Sequence, residues 1–142
     1  MYCNFFRPSS PFLAQAVVDG VNSINGKVTD YGVVSTPQIH FFVACQNTNK
    51  AYGSPDEDGY FSKLSSAFKH LRGQTFNKGS YQNTLQVDGA NGVGALKMKI
   101  LQQHLDNSLN VSVFNDGNGK LNFQCGADYV KVIQKPPQVR QT

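Results

Sequence analysis

The chain has 142 residues, a length that allows one ordinary domain or parts of two. Its 39% hydrophobic and 15% charged residues are typical of a globular protein, and no run approaches the ~20 apolar residues that a membrane span requires. The formal net charge of +4 comes from scattered lysines, whereas nucleic-acid binding needs clustered positive charge that neutralises several phosphates. We therefore expect neither a nucleic acid nor a membrane as a partner.

The first third of the chain predicts a helix, a strand and a second helix. Ser10-Pro11 is a helix start, because Ser caps free N–H groups and Pro suits the first helical position, and Asn25-Gly26 ends that helix. The apolar face of this helix is predicted to consist of Phe12, Leu13, Ala16, Val17, Val21 and Ile24. Val28–Val34 predicts a short strand, and Thr36-Pro37 repeats the start signal. The apolar residues of the second helix are Ile39, Phe42 and Val43.

The middle of the chain is divided by polar, turn-rich stretches. Asn47–Pro55 is predicted to be a connection, and Ser54 with Glu57 fits a capping box, in which the two side chains reciprocally satisfy helix N–H groups. The helix that follows is predicted to have an apolar face of Tyr60, Phe61, Leu64, Phe68 and Leu71. Gly73–Asn83 is rich in Gly, Asn and Ser, and it is the best candidate for a domain boundary.

The last third predicts one βαβ unit. Leu85–Val87 is a short strand, Asp88–Gly94 a glycine-rich turn, Ala95–Leu105 a helix and Val111–Phe114 a second strand. The two strands should be parallel and the crossover right-handed. The apolar face of the crossover helix is predicted to be Leu96, Ile100, Leu101 and Leu105. A final short helix is predicted at Ala127–Ile133.

Two segments suggest phosphate binding, but a structural interpretation is favoured for each. The strand–turn–helix around Gly89, Gly92 and Gly94 has the layout of a dinucleotide-binding unit. Its spacing is G-x-x-G-x-G, however, and Lys97 stands where the third glycine should allow close packing of helix and strand. A tight βα turn is therefore favoured. Arg7–Ser10 could bind a phosphate through the arginine and the helix N–H groups, yet a helix cap beside a solvated arginine is the favoured interpretation.

The remaining titratable residues form no recognisable catalytic or metal-binding pattern. The histidines lie on three separate predicted helices, and no pair has metal-ligand spacing; they are His40, His70 and His104. The Asp-Gly pairs lack the closely alternating aspartates of a divalent-metal loop; they begin at Asp19, Asp58, Asp88 and Asp116. The three cysteines are an odd number without C-x-x-C spacing, which argues against a zinc cluster or a disulfide framework; they are Cys3, Cys45 and Cys125. No signal peptide is apparent, so we expect a reduced, cytoplasmic compartment, with Cys45 as buried packing.

Several ordered segments together resemble one enzyme family. They include Arg7-Pro8-Ser9-Ser10, Asp30-Tyr31-Gly32, Thr36-Pro37-Gln38-Ile39-His40, Asp88–Lys97, Phe114-Asn115-Asp116-Gly117, Cys125-Gly126-Ala127-Asp128 and Gln134-Lys135-Pro136-Pro137. In this order they resemble segments of the phosphoacetylglucosamine mutases, which belong to the phosphohexomutase superfamily. The likeness extends from Arg7 to Gln138, and the order of its segments makes it specific.

The resemblance implies an activity for the complete family enzyme. Such enzymes interconvert N-acetylglucosamine 6-phosphate and 1-phosphate on the route to UDP-N-acetylglucosamine, by way of a phosphoserine and Mg²⁺. The family's serine loop (T-A-S-H-N-P) and metal loop (D-G-D-A-D-R) do not occur in the 142 residues, and neither do its sugar and terminal phosphate loops. The resemblance therefore assigns no catalytic, cofactor-binding or metal-binding residue here, and we expect the chain to be inactive alone.

The resemblance also implies an α/β fold class with two incomplete domains. Residues 1–50 would be the C-terminal part of the first phosphohexomutase domain, residues 51–83 a helical connection, and residues 84–142 the beginning of the second domain with its βαβ unit. The implied partners are an amino-sugar phosphate substrate, for the complete enzyme, and the mutase domains that this stretch lacks. The alternative is a non-catalytic α/β module that binds a nucleotide or a protein partner.

Overall fold

A computed structural model describes the backbone of residues 2–4 and the whole of residues 8–72 and 82–137. Helices connect parallel strands, which confirms the α/β class. The elements are β1 (Tyr2–Asn4), α1 (Ser10–Ser23), β2 (Asp30–Val33), α2 (Thr36–Asn47), α3 (Glu57–Arg72), β3 (Thr84–Asp88), α4 (Val93–Leu105), β4 (Asn110–Phe114) and α5 (Ala127–Ile133). The chain divides into two compact units, Met1–Tyr60 and Phe61–Thr142, which are described separately. Most of the predicted loop Gly73–Asn83 lies outside the described residues.

The first unit contains a strand that the sequence patterns did not predict. β1 pairs in parallel with β2, with Tyr2 opposite Asp30 and Asn4 opposite Val33, and the register is irregular between these two positions. Because α1 connects two parallel strands, the unit begins with a βαβ crossover in place of the predicted helix–strand–helix order. The segment around β1 is short and lacks flanking turn residues, so it carries little signal for a strand.

Helix α1 differs from its prediction at both ends and on its apolar face. Ser10 is the first helical residue and not the cap; the cap position is Ser9, whose side chain makes no capping hydrogen bond. At the other end the left-handed residue is Asn25 (φ 55°), and the Gly26 N–H donates to the Val21 carbonyl at 2.9 Å. The buried residues of the helix are Ser10 and Ala14. Much of the predicted face is exposed, namely Phe12, Leu13, Val17 and Ile24.

Helix α2 carries the core of the first unit. Its cap is Ser35, one residue before the predicted Thr36, and the Ser35 N–H donates to Gln38 Oε1 at 2.8 Å in a capping box. The buried apolar residues are Val34, Phe41, Phe42 and Cys45, with Tyr31, Ile39 and Tyr60 packed against them. Cys45 is fully buried, as its apolar neighbourhood predicted. We call these seven residues the aromatic core.

The start of α3 also differs from the predicted capping box. Asp56, and not Ser54, accepts the Gly59 N–H through Oδ1 at 2.7 Å, so Asp56 performs the capping role. The Ser54 hydroxyl donates to the other oxygen of Asp56. Glu57 accepts a hydrogen bond from the amide of buried Gln38, with 2.7 Å between Nε2 and Oε1. The capping bond that was predicted for Ser54 is thus made by Asp56, and the Glu57 side chain bonds Gln38 of α2.

The second unit contains the predicted βαβ unit. β3 and β4 are parallel and in register from Thr84 opposite Asn110 to Asp88 opposite Phe114, with α4 between them in the chain. Ala95 of α4 is fully buried, and a Cβ on Gly89 would lie 2.4 Å from the Ala95 Cβ. A glycine is therefore needed here for the helix to pack closely on the end of β3. The final helix α5 has the predicted bounds.

Candidate functional site

The strongest candidate site lies at the carboxyl ends of β3 and β4. In open α/β sheets, ligands bind in loops beyond the carboxyl ends of parallel strands. Here Asp88 ends β3, and the loop from Asn115 to Gly126 follows β4 and leads into α5. Three polar side chains connect these segments, and we call them the carboxyl-edge clamp: Asp88, Asn91 and Asn115.

Asp88 ties the end of β3 to the end of β4. Its Oδ1 accepts the Ala90 N–H at 2.9 Å and the Asn115 side-chain amide at 2.8 Å. Its Oδ2 is buried and has no hydrogen-bond partner among the described residues. A buried acceptor without a donor costs about 1–3 kcal/mol. The second oxygen of Asp88 could therefore accept a hydrogen bond from a further donor group.

Asn91 holds the loop after β4 against the turn after β3. Its buried side chain accepts the Gly117 N–H at 3.2 Å and the Gly119 N–H at 3.0 Å, and its amide donates to the Lys120 carbonyl at 3.2 Å. Its backbone N–H donates to the Asn115 carbonyl at 2.7 Å. Because each bond has a defined direction, the Asn91 side chain fixes the position of the loop as well as stabilising it.

The backbone at this edge is strained at several residues. Left-handed φ angles occur at Ala90 (50°), Asn91 (55°), Asn115 (46°), Asn122 (55°) and Gln124 (56°). For an alanine this conformation costs roughly 1–2 kcal/mol. Strain of this kind persists only where surrounding bonds enforce it, and it concentrates at functional sites. The clamp supplies those bonds, since Ala90 and both asparagines take part in them.

The backbone N–H groups in the turn after β3 are already engaged in hydrogen bonds. The N–H groups of residues 89–92 all donate hydrogen bonds within the fold. The Gly89 N–H donates to the Phe114 carbonyl and the Gly92 N–H to the Gly89 carbonyl, each at 2.8 Å. The N–H groups of Ala90 and Asn91 donate to the Asp88 side chain and the Asn115 carbonyl. A Cβ on Gly94 would meet nothing within 4 Å, so no close approach depends on this glycine. The geometry supports the favoured interpretation of the glycines as a tight βα turn.

An open cavity of about 530 Å³ adjoins the clamp. It is lined by Asp88, Gly126, Ala127, Val130, Lys131 and Pro137. Beside it Cys125 is buried, and desolvation, with a smaller contribution from the Asp88 charge, raises the pKa of this thiol. Cys125 is therefore a neutral thiol near pH 7, which disfavours a role as nucleophile because the thiolate is the reactive form.

The other sequence candidates are dispersed over the fold. His40 and His70 are exposed, and the ring of His104 lies 5.9 Å from that of Phe61. Asp116 pairs with Lys99 at 2.6 Å, and this bond lowers the pKa of the carboxyl. Over residues 8–72 and 82–137 no group of three His, Cys, Asp or Glu side chains could hold a metal ion, and no helix could cross a membrane. Arg7 lies outside the described residues.

The sequence candidates did not include Asn91 or Asn115, although a signal was present. Each asparagine lies within two residues of a glycine, Asn91 in the predicted turn and Asn115 directly after a predicted strand. Asparagine tolerates the left-handed conformation that such turns require. The hydrogen bonds that join the two loops connect residues 24 or more positions apart, such as Asp88 and Asn115. Spacing within one motif cannot reveal bonds of that separation.

The second unit has two parallel strands joined by a crossover helix, with loops at the carboxyl ends of both strands. This arrangement defines an α/β protein of the class in which ligands bind at that edge of the sheet. The family model for phosphoacetylglucosamine mutase AMG1, domain II, matches residues 51–141, so the chain belongs to the phosphoacetylglucosamine mutase family. The chain is 50% identical over 133 residues to the phosphoacetylglucosamine mutase of Sus scrofa. That alignment covers 93% of this chain and 24% of the relative, so the chain spans about a quarter of the relative's length.

Solved structures of the same family share the fold. The N-acetylphosphoglucosamine mutase of Aspergillus fumigatus, in complex with GlcNAc-6P and magnesium, matches with a TM-score of 0.81 at 34% identity, over 99% of this chain and 29% of that one. A glucose 1,6-bisphosphate complex of the same enzyme gives a TM-score of 0.83. An N-acetylglucosamine-phosphate mutase of the α-D-phosphohexomutase superfamily matches at 38% identity with a TM-score of 0.82 over 98% of this chain and 30% of that one.

Proposed function

We propose that this chain forms one structural quarter of an enzyme that interconverts N-acetylglucosamine 6-phosphate and N-acetylglucosamine 1-phosphate. The observation that carries the proposal is the domain match over residues 51–141. Structural neighbours that bind GlcNAc-6P with magnesium, or glucose 1,6-bisphosphate, support the substrate class and a bisphosphate intermediate. The reaction belongs to UDP-N-acetylglucosamine biosynthesis, which we place in the cytoplasm because the cysteines suggest a reduced compartment.

Within the complete enzyme, this chain would hold the loops at the carboxyl ends of β3 and β4 in position. The carboxyl-edge clamp joins the turn after β3 to the loop after β4, so the two move as one body. Phosphoryl transfer depends almost entirely on positioning and electrostatic stabilisation, and a displacement of 1 Å can cost two orders of magnitude in rate. We assign residues 1–50 to the end of the first mutase domain, 51–83 to a helical connection and 84–142 to the beginning of the second domain.

We assign no catalytic, sugar-binding or metal-binding role to residues of this chain. Mg²⁺ prefers several oxygen ligands in octahedral geometry, and the described residues offer no cluster of carboxylates that fits it. The ion of the complete enzyme, which would neutralise charge on the phosphoryl group, must therefore be held by other residues. The chain by itself should bind neither the ion nor the substrate productively.

A chimera tests this proposal directly. The aligned stretch of the Sus scrofa relative is replaced by the matching 133 residues of this chain, and conversion of N-acetylglucosamine 6-phosphate is measured with Mg²⁺ and a bisphosphate primer. Because half of the aligned residues are identical, the turnover rate of the chimera should lie within about tenfold of the rate of the relative. A tenfold difference corresponds to about 1.4 kcal/mol in activation free energy.

Two controls make the outcome interpretable. The relative with the aligned stretch deleted should be inactive. The chimera carrying Asn91→Gly should lose activity but keep its circular dichroism spectrum, because this substitution removes only the hydrogen bonds of the clamp. A chimera that folds cooperatively and binds the sugar phosphate but converts none of it would contradict the proposal.

A further inference from the structure

We propose that Arg72 and Lys69 of α3 are positioning residues, which fix where β4 begins and thereby keep the carboxyl-edge clamp aligned. The inference deepens the proposed function and rests on it, because it extends the positioning of the loops to a helix that the sequence indicated was a connection. Residues Phe61–Arg72 of α3 belong to the second unit, so the contacts that carry the inference lie within that unit.

The chain passes from α4 to β4 through a short corner with an unusual backbone. We call residues 106–108, one turn of 3-10 helix, the α4–β4 corner. Asp106 has a φ of 52° and a ψ of −131°, a combination that residues with side chains rarely adopt. Ser108 is buried, and its hydroxyl donates to the Leu105 carbonyl. A backbone of this kind costs free energy and persists only where surrounding contacts enforce it.

Two basic side chains of α3 supply contacts that enforce the corner. Arg72 Nη1 donates to the Ser108 carbonyl at 2.6 Å, and Lys69 Nζ lies 2.6 Å from Asp106 Oδ2. A cation in the last turn of a helix is favourable in itself, but that effect requires no bond to a residue 36 positions away. The Arg72 bond is charge-assisted and reaches a buried residue, whereas the Lys69 pair is largely exposed to solvent. Arg72 should therefore contribute more than Lys69.

The corner and the clamp lie at opposite ends of β4. β4 pairs in register with β3, which is its only strand partner within residues 8–72 and 82–137. Successive side chains of a strand point to opposite faces, so a shift of one residue, about 3.3 Å, would reverse the faces of β4. The bond between the Asn115 amide and Asp88 is 2.8 Å long and would not survive that shift. A contact that fixes the first residue of β4 therefore also aligns the clamp.

Hydrogen exchange of the isolated chain tests the inference at the far end of β4. The reporters are the amides of Gly117 and Gly119, which donate to Asn91. Arg72→Met removes the donor to the corner and should speed exchange of both reporters by at least about tenfold. The matched control is Leu71→Met, which places the same side chain at the neighbouring, exposed position and should leave both reporters unchanged.

The amide of Ala95 separates positioning from a general loss of stability. It donates to the Gly92 carbonyl at the start of α4 and takes no part in β4. Its exchange in Arg72→Met should stay within about twofold of the unmodified chain. An equal increase at Ala95 and at the two reporters would mean that the whole unit is destabilised, and it would overturn the positioning role. Reporters that exchange as they do in Leu71→Met would overturn it as well.

Arg72→Lys keeps the inference testable if Arg72→Met does not fold. The lysine retains the charge and one donor but lacks the planar fork of arginine, so the reporters should exchange about threefold faster than in the unmodified chain. Exchange that matches Leu71→Met in this variant would contradict the proposal.

Kinetics of the chimera connect the corner to the reaction. Arg72→Met should lower kcat by at least about tenfold and leave KM within about twofold, because misplaced loops weaken the transition state more than substrate binding. An unchanged kcat would overturn the positioning role in the reaction. If the chimera without this substitution is inactive while the exchange results hold, the proposed function fails and the role of Arg72 in aligning the clamp stands. If the chimera is active and Arg72→Met changes neither exchange nor kcat, the reverse holds.

Discussion

The two units differ in the contacts that stabilise each of them internally. In the first unit the aromatic core brings rings together: the centroids of Phe42 and Tyr31 are 4.7 Å apart, and those of Phe41 and Tyr60 are 5.5 Å apart. In the second unit the carboxyl-edge clamp joins two loops through hydrogen bonds of 2.7–3.2 Å. Apolar burial stabilises without fixing direction, whereas hydrogen bonds also fix geometry. Both units bury apolar side chains, but the second adds directional hydrogen bonds that fix the position of its loops.

The largest expected effect comes from emptying the aromatic core. Phe42 is 1% exposed, so Phe42→Ala should lower the free energy of unfolding by about 3–5 kcal/mol through lost burial and a cavity. Urea unfolding of the isolated chain measures this change. The matched control is Phe12→Ala, because Phe12 is 77% exposed and its removal should change stability by no more than about 0.5 kcal/mol. Similar losses for both variants would mean that α2 is not the core.

The clamp should respond to removal of one side chain. Asn91→Gly keeps the left-handed backbone but deletes three side-chain hydrogen bonds, at a cost of about 2–3 kcal/mol. Hydrogen exchange should show the amides of Gly117 and Gly119 losing protection, while Gly53, which donates to the Lys50 carbonyl in the first unit, should be unchanged. Unchanged protection at Gly117 and Gly119 would show that Asn91 does not hold the loop.

Two glycines near the start of α4 differ in the space around them: Gly89 is closely packed and Gly94 is open. Gly89→Ala would place a Cβ 2.4 Å from the Ala95 Cβ and 3.0 Å from the Asn115 carbonyl oxygen, so we expect a loss of about 1–3 kcal/mol. Gly94→Ala meets nothing within 4 Å inside α4 and should instead stabilise by up to about 1 kcal/mol. Thermal unfolding of both variants gives opposite signs if the geometry is right. Equal shifts would contradict the tight contact between β3 and α4.

The smallest expected effect concerns acid stability at the start of α3. The Ser54 hydroxyl, followed by the Gly59 N–H, lowers the pKa of Asp56 from its usual 3.8. A carboxyl whose pKa is lowered on folding contributes stability above its unfolded pKa, and that contribution is lost as the pH falls through the folded value. Ser54→Ala should raise the Asp56 pKa toward 3.8, as NMR titration would measure. The exposed Ser66→Ala is the control, and an Asp56 pKa that is unchanged by Ser54→Ala would refute the contact.

The sequence predicted regular elements well and polar contacts poorly. The parallel pairing of β3 with β4 and the bounds of α5 followed from periodicity and turn residues. β1 was missed because a three-residue strand has too few positions to show alternation. The caps of α1 and α2 were each placed one residue late, because Ser9 and Ser35 precede residues that also cap helices well.

The clamp and the exposed arc of α1 could not be predicted for a further reason. Both depend on which segments meet in space. The Asn91 side chain bonds residues 26 or more positions away, and the exposure of α1 depends on how many strands lie beneath it. Helical periodicity identifies an apolar face but does not say how much of that face is covered. Local patterns therefore predict elements, while tertiary contacts decide which polar groups and apolar faces remain available.

The central proposal is that these 142 residues provide part of a scaffold for phosphoryl transfer without a complete site for it. The most direct test is the mutase reaction on the purified chain alone, with N-acetylglucosamine 6-phosphate, Mg²⁺ and a bisphosphate primer, followed by ³¹P NMR. We predict no conversion above the enzyme-free blank, and conversion by the chimera under the same conditions. Turnover that copurifies with the isolated chain and is lost with Asn91→Gly would contradict the claim.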